Sequence, residues 1–281
     1  MILHRHRLWI GLRTATIAGA AMATSVGAQT KAQEHQGHAP KPGPAAPGMP
    51  NALAGPQAGE AYLTDGGPKD TRIRIYRDIT LMRGHLWVGD ELIRQERWDD
   101  AIVHFLHPAE ELYNVMERYI KLHRVTPFDA ELKAQAEAVK AQRKGAYEQS
   151  AKVVKQRLDD ALAKFKTYMQ PPITSFAVRT ANEVFKVAAA EYEASIEDGK
   201  FVNPMEYQDA RGFVLAAEMI YVDYSRNLEK INEARLGEIR GTVNELKAAF
   251  PSVMPPDSPV MTPTDFSARV DRISELSTVF W

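Results

Sequence analysis

From Asp70 onward the apolar residues of the chain recur at helical spacing. Ile75, Ile79, Met82, Leu86, Gly89 and Ile93 step by alternating fours and threes, which lines one face of an α-helix. A strand would need alternation in twos, and no stretch of useful length shows it. Three helix starts share one local chemistry: "TPFD" at 126–129, "NPME" at 203–206 and "TPTD" at 262–265. In each, Thr or Asn can accept free N–H groups of the first turn, Pro occupies the first helical position, and an acid stands third. These signals place helix beginnings at Pro127, Pro204 and Pro263.

Helix ends are marked near 94–99, at Gly145, near 169–172 and near 197–200. The pattern predicts helices over about 70–95, 97–123, 127–143, 146–169, 173–198, 204–249 and 263–278. Glycines cost stability inside a helix, so the long sixth one is expected to bend near Gly237 or Gly241. Its stripe Ala210, Val214, Ala217, Tyr221, Tyr224, Leu228 and Ile231 has a heptad-like spacing, which favours shallow packing angles. The expected fold class is all-α, an elongated up-and-down bundle of about six or seven helices filling residues 70–281. The apolar end Val279, Phe280 and Trp281 is expected to dock on that bundle.

Ahead of the bundle the pattern changes. Arg5, Arg7 and Arg13 precede an alanine-rich apolar run closing on Val26, Gly27 and Ala28. Small residues at the last and third-last positions suit a signal peptidase, so residues 1–28 read as a signal peptide and the mature chain as periplasmic or secreted. A retained anchor is the other outcome. Residues 29–69 are dense in Pro, Gly and Ala and poor in large apolar residues, so they read as a flexible tether. His35, His38 and Met49 in it could catch a soft metal, though such residues in a tail are commonly incidental. No later apolar run approaches the roughly 20 residues that cross a bilayer.

Charge and cysteine content narrow the chemistry. With 35 basic and 36 acidic side chains the formal charge is −1, which removes the electrostatic case for nucleic acid or an anionic membrane surface. Cysteine is absent, so the fold stands without disulfides and any metal must be held by imidazole, carboxylate or thioether. There is no His-Glu-x-x-His, no Glu-x-x-His pair, no glycine-rich phosphate loop and no nucleophile elbow. The enzyme classes that announce themselves by motif are unsupported.

One stretch, "HFLHPAEELY" at 104–113, carries donor chemistry. With Phe105 at the centre of the apolar face and about 100° per residue, His104 falls at the edge of the core stripe. His107 and Glu111 lie beside it, forming a ladder at i, i+3 and i+7. Pro108 lacks an N–H and should bend the helix there. Antiparallel packing of the preceding helix brings His85 to the same height, and Gly84 and Gly89 would permit a close approach. His85, His104, His107 and Glu111, with Glu110 as a substitute, are therefore the candidate metal ligands. The alternative is a hydrogen-bonded core histidine at 85 beside solvated side chains.

A second hairpin at 188–213 gathers Glu191, Glu193, Glu197, Asp198, Glu206 and Asp209 near its tip. Hard cations take such oxygens. A helix stop at Asp198-Gly199, a cap at Glu206 and wetted side chains account for most of them.

The His-x-x-Glu arrangement of His107 and Glu110, with His85 nearby, resembles the imelysin-like periplasmic iron-uptake proteins. The pattern from Glu191 to Phe213 resembles helical periplasmic regions associated with bacterial iron permeases. The resemblance implies an all-helical periplasmic domain that binds iron or another transition metal and hands it to a membrane partner, with His107 and Glu110 as ligands. The imelysin pattern has Gly where this chain has Phe105. The expectation is an exported helical protein binding iron or copper in metal transport or homeostasis, with a membrane metal-transport component as partner. The alternative is a non-catalytic protein–protein interaction or scaffold module of a membrane-associated complex, without metal.

Overall fold

The computed structural model describes residues 68–169 and 172–281. The expected signal peptide at 1–28 and the tether at 29–69, with His35, His38 and Met49, lie outside the described residues apart from Pro68 and Lys69. What is described is all-α, as the periodicity indicates, with one minimal pair of strands.

Helix α1 (Thr71–Arg94) is the central element. Asp70 caps it, its side chain accepting the Arg72 N–H at 3.0 Å. Ile79, Met82, Val88 and Leu92 are fully buried, because α1 is covered on several sides. After a turn with Glu96 in the left-handed region, α2 (Trp98–His107) runs back along α1. It continues without a break through a π turn, Pro108–Leu112, into α3 (Tyr113–Leu122). Pro108 offers no N–H to the ladder, and the Tyr113 N–H reaches back to the Pro108 carbonyl. The irregularity expected at Pro108 thus takes the form of an inserted residue.

Helix α4 (Asp129–Lys140) begins two residues later than Pro127. Phe128 is pulled into the core against the Tyr113 ring, 5.0 Å between centroids, and that anchoring holds the chain out of helical geometry through 128. The same helix stops at Lys140 through Gln142 in the left-handed region, and Gly145 lies inside the first turn of α5 (Lys144–Lys166) instead of ending a helix.

Helix α6 (Ile173–Ala194) leads into two-residue strands β1 (Ile196–Glu197) and β2 (Lys200–Phe201). Asp198 and Gly199 turn between them with φ of 49° and 72°, the pair of positive angles a tight hairpin requires. Helix α7 (Pro204–Asp223) starts where expected, Asn203 accepting the Met205 N–H. The expected single long helix is divided at Tyr224, giving α8 (Ser225–Ala248). The kink inside α8 sits at Asn232, not at Gly237 or Gly241. The Asn232 side chain accepts the Arg235 N–H at 3.0 Å, capping the segment that follows and offering the backbone an alternative to continuing the helix. Helix α9 (Pro263–Leu276) is capped by Thr262 and ends in a 3-10 turn, Ser277–Phe280. Of the apolar terminus only Phe280 is buried; Val279 and Trp281 are exposed, so the expected docking rests on one side chain.

Helices α6 and α7 pack most extensively on each other, and α7 and α2 both pack on α1. Those three helices, α1, α2 and α7, enclose the polar residues described next. Among the described residues no helix is long and apolar enough to cross a membrane.

Candidate functional site

The site begins with three glycines, Gly84, Gly89 and Gly212. Where α1 crosses α7, a Cβ placed on Gly212 would stand 2.4 Å from the Gly84 carbonyl oxygen, so the two backbones touch. Where α1 faces α2, a Cβ on Gly89 would enter the Phe105 ring at 2.5 Å. Only residues without a side chain allow both approaches. They bring His85, one residue after Gly84, and His104, one before Phe105, to Asp209, which lies one helical turn before Gly212.

Asp209 Oδ1 is the meeting point. It lies 2.7 Å from His85 Nδ1 and 2.8 Å from His104 Nδ1. One donor atom from each of His85, His104 and Asp209 falls within 4.8 Å of the others, and all three residues are buried. His107 is buried too, its Nδ1 3.9 Å from Asp209 Oδ2 and its ring edge-on to His85 at 5.3 Å. Phe213 closes one side, T-shaped against His85 at 4.8 Å.

The hydrogen bonds assign the protons. Gln208 Oε1 stands 2.8 Å from His104 Nε2, while the Gln208 amide N–H donates to the Met254 sulfur at 3.3 Å. A thioether can only accept, so the amide oxygen faces the ring and His104 Nε2 must carry a proton. Nδ1 of His104 then faces a carboxylate oxygen, and that contact is attractive only with a proton or a cation between them. His85 Nδ1 approaches the same oxygen off the line a ring N–H would take, so this short contact is not an aligned hydrogen bond.

Charge follows geometry. Burial alone would depress His104, but the Asp209 charge and the hydrogen bonds to Asp209 and Gln208 outweigh it and its pKa stands above the ordinary imidazole value. Burial would raise Asp209, yet His85 and His104 hold it well below the usual carboxylate range. His107 is lowered to about 4, by burial first and by His85 second, and is neutral at pH 7. Glu206, hydrogen-bonded to Glu191, is raised mainly by burial, and the Asp209 charge adds to that. Both glutamates are buried.

The structure therefore brings together His85, His104 and His107 of the sequence-derived set. Glu111 is half-buried and close enough to bear electrostatically on His107. Glu110, within the π turn, is exposed. His104 lies deeper than the edge position its helix face suggests, because α7 covers that flank. Asp209 and Gln208 are the residues missed as partners of the histidines. The acidic hairpin is in fact divided: Glu193, Glu197 and Asp198 are exposed, while Glu191, Glu206 and Asp209 point inward. The two stretches that stand apart in sequence meet in one buried cluster. The signal that could have joined them was Gly212, an interior helix glycine three residues after Asp209, opposite Gly84.

The donor set fits a first-row transition metal. Two imidazoles and a carboxylate, without thiolate, suit Fe, Zn, Cu or Mn. Ligands bound at about 2.1 Å stand roughly 3.0–3.4 Å apart for octahedral or tetrahedral angles, so the 2.7 and 2.8 Å separations would open on binding while the widest donor separation, within 4.8 Å, would close around the ion.

Residues 173–280 match the family described as an iron permease-associated 4-helix bundle domain. That span takes in α6, α7, α8, α9 and the terminal turn. It supports a relation to iron uptake through the second of the two resemblances, the Glu191–Phe213 pattern, and does not touch the imelysin one. Among curated proteins and among solved structures nothing matches the chain. Asp209, Gln208, Glu206 and Glu191 lie within the matched span, and the three histidines lie before it.

Proposed function

We propose that this chain binds a divalent transition-metal ion between α1, α2 and α7, with His85, His104 and Asp209 as ligands, and serves iron uptake alongside a membrane permease. One observation carries the reading: donor atoms of His85, His104 and Asp209, from three helices, converge within 4.8 Å in a buried position where a proton or a cation must stand between imidazole and carboxylate. Several metals fit the donors; the similarity of residues 173–280 to an iron permease-associated domain favours iron over copper. Transfer to a membrane component and action outside the cytoplasm are parts of the proposal, the latter resting on the signal-like pattern of residues 1–28.

A second reading has its own support. His104 is hydrogen-bonded at both nitrogens without an ion, so a purely structural His–Asp network would also be satisfied there. Anaerobic calorimetric titration of the chain with Fe(II), beside the folded double variant His85→Ala, His104→Ala, separates the two. Stoichiometric binding that the variant loses supports the metal reading; equal binding by both, or binding by neither, supports the structural one.

A further inference from the structure

We propose that Gln208 is the positioning residue of this centre: it fixes His104 to bind the ion through Nδ1, and Met254 in turn fixes Gln208. The inference rests on the metal reading above and adds which nitrogen is used and what selects it. A ligating imidazole holds its orientation when its other ring N–H is donated to a fixed acceptor. His104 has that arrangement, with Nε2 at 2.8 Å from Gln208 Oε1 and Nδ1 at 2.8 Å from Asp209.

The amide does not choose its own direction. Gln208 is buried, and its N–H donates to the Met254 sulfur at 3.3 Å. Turning the amide over would set its oxygen against a sulfur that has no proton and its NH2 against the ring, which would force the opposite tautomer on His104. The thioether thus acts at one remove from the ion. Met254 belongs to the segment between α8 and α9, whose neighbour Val253 is fully buried, so that segment is anchored where it meets Gln208. Gln208 and Asp209 are consecutive, and one turn of α7 therefore supplies both the carboxylate and the orienting amide. The remaining ligand, His85, comes from α1 and has no part in this selection.

The test uses the full chain labelled with 15N-histidine and loaded with Zn(II) as a diamagnetic probe. The expected NMR signature is a metal-bound Nδ1 and a retained, slowly exchanging Nε2–H on His104. Fe(II) affinity should fall about 10- to 100-fold in Gln208→Leu at unchanged stoichiometry, stay within a few-fold of wild type in Gln208→Glu, which keeps the acceptor, and fall less in Met254→Leu. Zn(II) on Nε2, or wild-type affinity in a folded Gln208→Leu, would overturn the positioning role while leaving the metal site standing. Should Gln208→Leu fail to fold, the tautomer in the wild-type protein decides the matter alone. A wild-type chain that binds no ion overturns the site itself and this inference with it.

Discussion

Replacing Gly212 by Ala tests whether the backbone contact between α1 and α7 sets the ligand geometry. The new Cβ would lie 2.4 Å from the Gly84 carbonyl oxygen and 2.8 Å from both the Gly84 carbonyl carbon and Val88 Cγ2. Backbone cannot rotate away as a side chain can, so the helices must separate by at least about 0.6 Å to reach the 3.0 Å that real Cβ contacts observe. His85 follows Gly84 directly and Asp209 is one turn from Gly212, so most of that displacement passes to the His85–Asp209 pair, now 2.7 Å apart. Metal sites tolerate ligand errors of about 0.2 Å. Overpacking costs about 1–3 kcal/mol, against up to about 1 kcal/mol recovered from the better helix propensity of Ala. The control is Gly237→Ala, where a Cβ meets nothing and only the propensity gain applies. Urea unfolding and Fe(II) titration of both variants are the assays. Gly212→Ala is expected to be less stable and to bind weakly, and Gly237→Ala to be slightly more stable with affinity unchanged. A Gly212→Ala protein as stable and as competent as wild type would refute the argument that this crossing positions the site.

Three further outcomes are expected. Asp209→Asn leaves the buried His104 without its counter-charge and should cost about 3–5 kcal/mol in chemical unfolding while removing metal binding. Gly89→Ala pushes on the Phe105 ring from 2.5 Å and should cost about 1–3 kcal/mol, read in the same unfolding experiment. Asp70→Ala should cost about 1 kcal/mol at neutral pH through loss of the α1 cap. The hydrogen bond from the Arg72 side chain lowers the Asp70 pKa below its ordinary 3.8. That contribution is therefore complete above about pH 4 and disappears as the pH falls through the lower folded value, so wild type and variant should converge in stability in strong acid.

Most of the architecture was legible because it is local. Asn203-Pro204 and Thr262-Pro263 start their helices where the chain says they should, since capping involves only neighbours in sequence. Thr126-Pro127 does not, because the burial of Phe128 against Tyr113 is a tertiary contact that overrides the cap. The expected bend at Gly237 or Gly241 failed for a related reason. Glycine permits a kink, but Asn232 supplies the hydrogen bond that holds one. For the site, helix periodicity and hairpin register were enough to bring His85, His104 and His107 together. They could not show that Asp209, more than a hundred residues after His104, closes the cluster, because that depends on a crossing between helices distant in sequence. A regular helix wheel sets Glu111 beside His104 and His107, but the π turn that begins at Pro108 shifts Glu110, Glu111 and every residue after them.

The most direct measurement of the central claim is anomalous diffraction at the iron edge from crystals of the full chain grown with Fe(II) under anaerobic conditions. The expected result is one strong peak within about 2.0–2.3 Å of His85, of His104 Nδ1 and of Asp209. A peak elsewhere in the bundle, or none while His104 keeps its bonds to Asp209 and Gln208, would contradict it and leave the cluster as an internal polar network.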